Sequence, residues 1–140
     1  MGFRYPEDGP PADLTVEGLG ENVADAIKNV VLGMFNALTP LEGIKPIEEF
    51  VIEADGRDLE SLIFNLMDEF LYFNDVDNLV ASEILLNVDQ DKFRATAYCK
   101  GERLDIRRHQ TGIAIKAVTF HQMKVTQSDG GVIARVVFDT

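Results

Sequence analysis

The chain has 140 residues, 46% of them apolar, with a single cysteine and a formal net charge of −11. That is the length of one domain able to bury its own core, and one cysteine excludes an intrachain disulfide framework. No run of about 18 apolar residues occurs, so no membrane helix is expected, and "MGFRYPEDGPP" lacks a signal-peptide core; the expectation is one cytoplasmic domain.

The first clear element is "ADLTVEGLG" (12–20), where Leu14 and Val16 alternate with Asp13, Thr15 and Glu17. Period two marks a half-buried strand. "NVADAIKNVVLGMFNAL" follows, with Val23, Ala26, Ile27, Val30, Val31, Met34, Phe35 and Leu38 on one helical stripe. Asn22 suits its N-cap and Thr39-Pro40 its end. "IEEFVIEAD" (47–55) reads as a strand. A second helix starts at Asp58, an N-cap, and repeats the stripe through Leu59, Leu62, Ile63, Leu66, Met67 and Phe70. The polar "FNDVDN" breaks that pattern. Strands are then expected over 79–89, 92–100, 112–126 and 131–138, with "SDGG" turning between the last two. The order βαβαββββ predicts an α+β domain, its two amphipathic helices packed on one face of a largely antiparallel or mixed sheet.

Charge divides unevenly along the chain. Residues 1–91 carry four basic residues against 20 acids; residues 92–140 carry nine against four. The acidic total argues against general nucleic-acid binding, which needs phosphates neutralised. It suits solubility or docking on a basic protein partner.

Templates for catalysis are absent: there is no phosphate-binding loop, no GxSxG and no dinucleotide-binding glycine run. Cys99 with His109 or His121 has no identifiable orienting third group and reads as a small apolar strand residue. One cysteine and two histidines also lack zinc-ligand spacing. Two acids stand apart. Asp13 lies in the first clear strand and Asp139 ends the last, in "VVFDT". Side by side they would offer oxygens to a hard cation such as Ca²⁺ or Mg²⁺; otherwise they are unrelated surface acids. In "GIAIKAVTFHQMKV" the apolar phase switches between Ile115 and Val118, beside Lys116 and ahead of His121. Either a bulge re-aims these side chains towards a ligand, or Lys116 guards an edge strand and His121 makes a structural hydrogen bond.

"GERLD" (101–105) followed by "IKAVTFH" and "MKV" resembles the signature of the archease family. "ADLTVEGLG", "MFNALTP", "DLESLIFNLMDEFLYF" and "VVFDT" extend the resemblance over nearly the whole chain. One departure is at Pro10, where the family's His-Thr-Ala-Asp strand start has histidine. The resemblance implies an accessory protein of tRNA processing that activates an RtcB-type RNA ligase by promoting its guanylylation and turnover. It also implies a second reading, a chaperone or specificity modulator of a tRNA cytosine methyltransferase, with tRNA reached through the partner. It implies a divalent metal, Ca²⁺ or Mg²⁺, on Asp13 and Asp139. Lys116, His121 and Glu102 are then expected to contact the partner or a nucleotide.

Overall fold

The structure is a computed structural model and describes residues 2–140. Its elements are β1 (Phe3–Arg4), β2 (Leu14–Gly20), α1 (Val23–Leu38), β3 (Glu48–Asp55), α2 (Leu59–Asp77), β4 (Leu79–Asp89), β5 (Arg94–Arg103), β6 (Ala117–Ser128) and β7 (Gly131–Asp139). Every strand pairing is antiparallel. The strands form two sheets, β1-β2-β7-β6 and β3-β5-β4, instead of the expected single one. Alternation shows which residues of a strand face inward; it does not say which strand lies next door. Here β2 pairs with β7 from the far end of the chain.

The helices fill the space between the sheets. α1 packs on β2, β7 and β4, and α2 on β3 and β6. Their stripes meet where Phe35 sets its ring edge against Phe70, centroids 5.8 Å apart. Phe35 and Leu66 are both buried, as their mid-stripe positions require. Asn22 caps α1 by accepting the Asp25 N–H at 2.9 Å. Asp58 caps α2 through a reciprocal box with Ser61. α2 continues through the polar "FNDVDN" to Asp77 and closes on Asn78, which adopts the left-handed conformation at φ 57°. Asp75 and Val76 of that last turn are exposed, so solvent, not the core, sets its composition.

The segment expected as a strand over 112–126 divides in two. Residues 112–116 belong to no strand, and β6 begins at Ala117. The register irregularity falls later than the Ile115–Val118 phase switch. Thr119 pairs with Val137 and Lys124 with Arg135, so Phe120, His121, Gln122 and Met123 together face Val136. Gln122 takes φ 54° to make this wide bulge.

Candidate functional site

The site is assembled at one end of the β2-β7-β6 sheet. Leu14 opposes Phe138 as the last paired position of β2 and β7. Asp13, in the bend just before β2, and Asp139, the last residue of β7, flank that terminal pair. The Thr140 hydroxyl donates to the Ala12 carbonyl at 2.8 Å and keeps the two chains aligned one step further. Asp13 is half-buried and Asp139 exposed. A turn delivers Asp13: its N–H donates to the Pro10 carbonyl at 3.1 Å across Pro11 and Ala12. Pro11 holds the second position, where its fixed φ favours the turn.

Lys116 arrives at the same end from the other side. Its N–H donates to the Asp139 carbonyl at 2.8 Å, and Ala117 then pairs with Asp139. Lys116 is exposed. His121 does not join this group. It lies in the bulge, opposite Val136, and is exposed with its own N–H donating to the Thr119 hydroxyl at 3.2 Å. The expected structural hydrogen bond of its ring is not formed among the described residues. The bulge re-aims His121 and Phe120, not Lys116, which precedes the strand. Phe120 stacks on Phe64 of α2 with centroids 4.2 Å apart and planes 8° from parallel.

What places Lys116 is the loop 104–116, and Glu102 holds that loop. Glu102 is 2% exposed. Its carboxylate accepts the Lys45 N–H at 2.6 Å, the Arg108 guanidinium, and the His109 Nε2–H at 2.9 Å. His109 is buried too, and its Nδ1 accepts the Asp105 N–H at 2.9 Å. The ring is thereby fixed in the Nε2–H tautomer, since an ionised carboxylate only accepts. Burial pushes the Glu102 carboxyl up, but Arg108, the Lys45 N–H and His109 together outweigh it and hold it down at about 2. Glu102 therefore contacts its own chain rather than an outside partner.

The rest of "GERLD" serves the same loop. A Cβ on Gly101 would sit 1.8 Å from the Val80 carbonyl oxygen, so only glycine fits there. The Asp105 carboxylate accepts the Arg107 N–H at 3.0 Å. Beyond it the loop crosses the end of α1. Gly112 and Ile113 donate to the Leu38 and Ala37 carbonyls at 2.7 and 2.8 Å, satisfying acceptors that the helix end leaves free. The Thr39 hydroxyl donates to the Gln110 carbonyl at 2.7 Å. Arg108 is committed to Glu102 and so is not part of a basic surface around Lys116.

The sequence places Arg108 with Arg107 in a basic stretch beside Lys116, not on Glu102, and assigns no role to His109 or Arg135. The signal for Arg108 and His109 is a glutamate in a strand followed six and seven residues later by a cation and an imidazole. Arg135 bridges Asp8 and Glu17 at 3.1 and 3.2 Å and donates to the Gln122 side chain at 3.0 Å, tying the N-terminal segment to the bulge. Cys99 is buried, and burial pushes its thiol up to about 12, which keeps it protonated at neutral pH. Among the described residues no helix is long and apolar enough to cross a membrane.

The chain matches the archease protein family (MTH1598/TM1083) over residues 3–140. The protein archease of Pyrococcus furiosus is 32% identical over 133 residues, covering 91% of this chain and 92% of that one. An archease-like protein of Drosophila melanogaster is 32% identical over 118 residues, covering 83% and 76%. The solution structure of protein 1598 from Methanobacterium thermoautotrophicum is similar with a TM-score of 0.82 and 26% identity, covering 99% of each chain.

Proposed function

The chain belongs to the archease family, accessory proteins of tRNA processing, and from that premise we propose that it activates an RtcB-type RNA ligase by promoting the ligase's guanylylation and turnover. The observation that supports this reading is that Lys116 donates its N–H to the Asp139 carbonyl at the sheet end where Leu14, the neighbour of Asp13, pairs with Phe138.

Asp13 and Asp139 suit a hard divalent cation, Ca²⁺ or Mg²⁺, because carboxylate oxygens are its preferred donors. Two carboxylates fall short of the six or more oxygens such ions take. Among the described residues no group of three or more His, Cys, Asp or Glu has metal-binding geometry. A cation held here keeps coordination positions for water or for a partner's oxygens. When bound, it supplies positive charge that phosphate oxygens coordinate. Pro10, in place of the family's histidine, contributes a carbonyl to the turn and no imidazole.

Lys116 stands beside this pair as a compact point charge able to meet a nucleotide phosphate or a partner carboxylate. His121 and Phe120 extend the contact along β6. Glu102 enters through the loop it anchors: its carboxylate sets the path that brings Lys116 to Asp139.

The test is ligase guanylylation with and without the protein. An activator raises the rate of covalent nucleotidyl-ligase formation at substoichiometric amounts. A chaperone of a tRNA cytosine methyltransferase would instead leave that rate alone and change the methyltransferase's oligomeric state or specificity in proportion to the amount bound.

A further inference from the structure

The outer face of the β3-β5-β4 sheet, a different sheet from the one that carries Asp139, carries a row of large apolar side chains. Val51, Tyr98 and Leu85 stand directly opposite one another across the three strands. They are 51%, 49% and 65% exposed. With Glu49, Glu83 and Lys100 they line a shallow hollow of about 500 Å³. A solvated sheet face ordinarily presents polar residues, and contiguous exposed apolar side chains mark interaction sites.

The rungs on either side are polar and net acidic. Glu49, Lys100 and Glu83 form one; Glu53, Thr96 and Asn87 form the other. Lys100 lies 4.0 Å from Glu49. Glu53 and Glu83 make no ion pair among the described residues.

We propose that this face docks a basic amphipathic helix of a partner protein, lying across the strands with its apolar stripe on Val51, Tyr98 and Leu85. The spacing fits. Neighbouring strands are about 4.8 Å apart, and helix residues three or four apart rise about 5 Å. Apolar residues at i, i+3 or i+4, and i+7 then meet one strand each. The breadth also fits, because the polar rungs on the two sides lie four residues apart along each strand, about 14 Å, room for one helix of 10–12 Å diameter. The charge decides the occupant. Lysines or arginines flanking the stripe meet Glu53 on one side and Glu83 on the other. A second copy of this chain would bring the same acidic rungs into contact, and RNA would bring phosphates to them.

The experiment uses the full chain and a fluorescein-labelled synthetic helix of about 18 residues, five turns. It carries Leu at i, i+4 and i+7 and Lys on both flanks; a control peptide has the same composition in scrambled order. Fluorescence anisotropy is expected to show saturable binding that weakens with salt. L85S/Y98S and, separately, E53K/E83K should each weaken it about tenfold or more, while D13A/D139A leaves it unchanged. Circular dichroism verifies each fold, and the charge-reversal pair tests the site even should the apolar pair fail to fold. Equal binding of the scrambled peptide, or unchanged binding by E53K/E83K, overturns the proposal. So does a concentration-dependent dimer in sedimentation that L85S/Y98S abolishes, which would assign the face to a second copy.

Discussion

Glu102→Gln keeps the shape of the buried side chain and removes its charge. In the folded chain the carboxyl sits at about 2 against an ordinary value of 4.5. That difference corresponds to at most about 3.5 kcal/mol, at about 1.4 kcal/mol per pH unit. The sign follows from the direction. A depressed folded value means the stability is fully present above the unfolded value and is lost as pH falls through the folded one. Relative to neutral pH, about 2 kcal/mol should be gone by pH 3, with the rest lost near pH 2. Other carboxylates also titrate over this range, so the informative quantity is the difference between wild type and E102Q. Urea unfolding is measured for both at steps from pH 7 to pH 3. The wild type should lead by up to about 3.5 kcal/mol at pH 7, and the lead should shrink by about 2 kcal/mol at pH 3. A constant difference across the range would refute the reasoning, because it would mean that Glu102's charge does not hold Arg108, His109 and the Lys45 N–H.

Asp13→Ala and Asp139→Ala should each weaken Ca²⁺ or Mg²⁺ binding in calorimetric titration without loss of fold. Phe35→Ala should cost about 3–5 kcal/mol in chemical unfolding, since its ring is buried against Phe70. Gly112→Ala puts a Cβ 2.0 Å from the Ala37 carbonyl oxygen, and should lower stability by about 1–3 kcal/mol while reducing ligase activation through the displaced Lys116. Lys116→Ala should unfold within about 0.5 kcal/mol of wild type, yet activate the ligase roughly tenfold less, the equivalent of about 1.4 kcal/mol.

The helices were legible in the sequence because their stripes, Asn22 and Asp58 are local signals. Each strand was legible too, apart from the two-residue β1. The division into two sheets was not, since the pairing of Leu14 with Phe138 depends on chain segments more than a hundred residues apart. α2 outran its stripe because Asn74 to Asp77 form a last turn that the core does not reach. The phase switch near Lys116 joined two physical events, an approach outside any strand and a bulge four residues later, and periodicity cannot separate them. At the site, alternation placed Asp139 at the end of the last strand, but it placed Asp13 inside the first strand, whereas β2 begins one residue later, at Leu14. The burial of Glu102 was not legible, because its partners come from a loop whose path alternation does not encode.

Guanylylation of an RtcB-type ligase, followed as covalent nucleotidyl-enzyme with this protein at substoichiometric amounts, tests the central claim most directly. The account predicts a rate increase that D139A and K116A each diminish while both variants stay folded. An unchanged rate with the folded wild-type protein, or full activation by both variants, would contradict it.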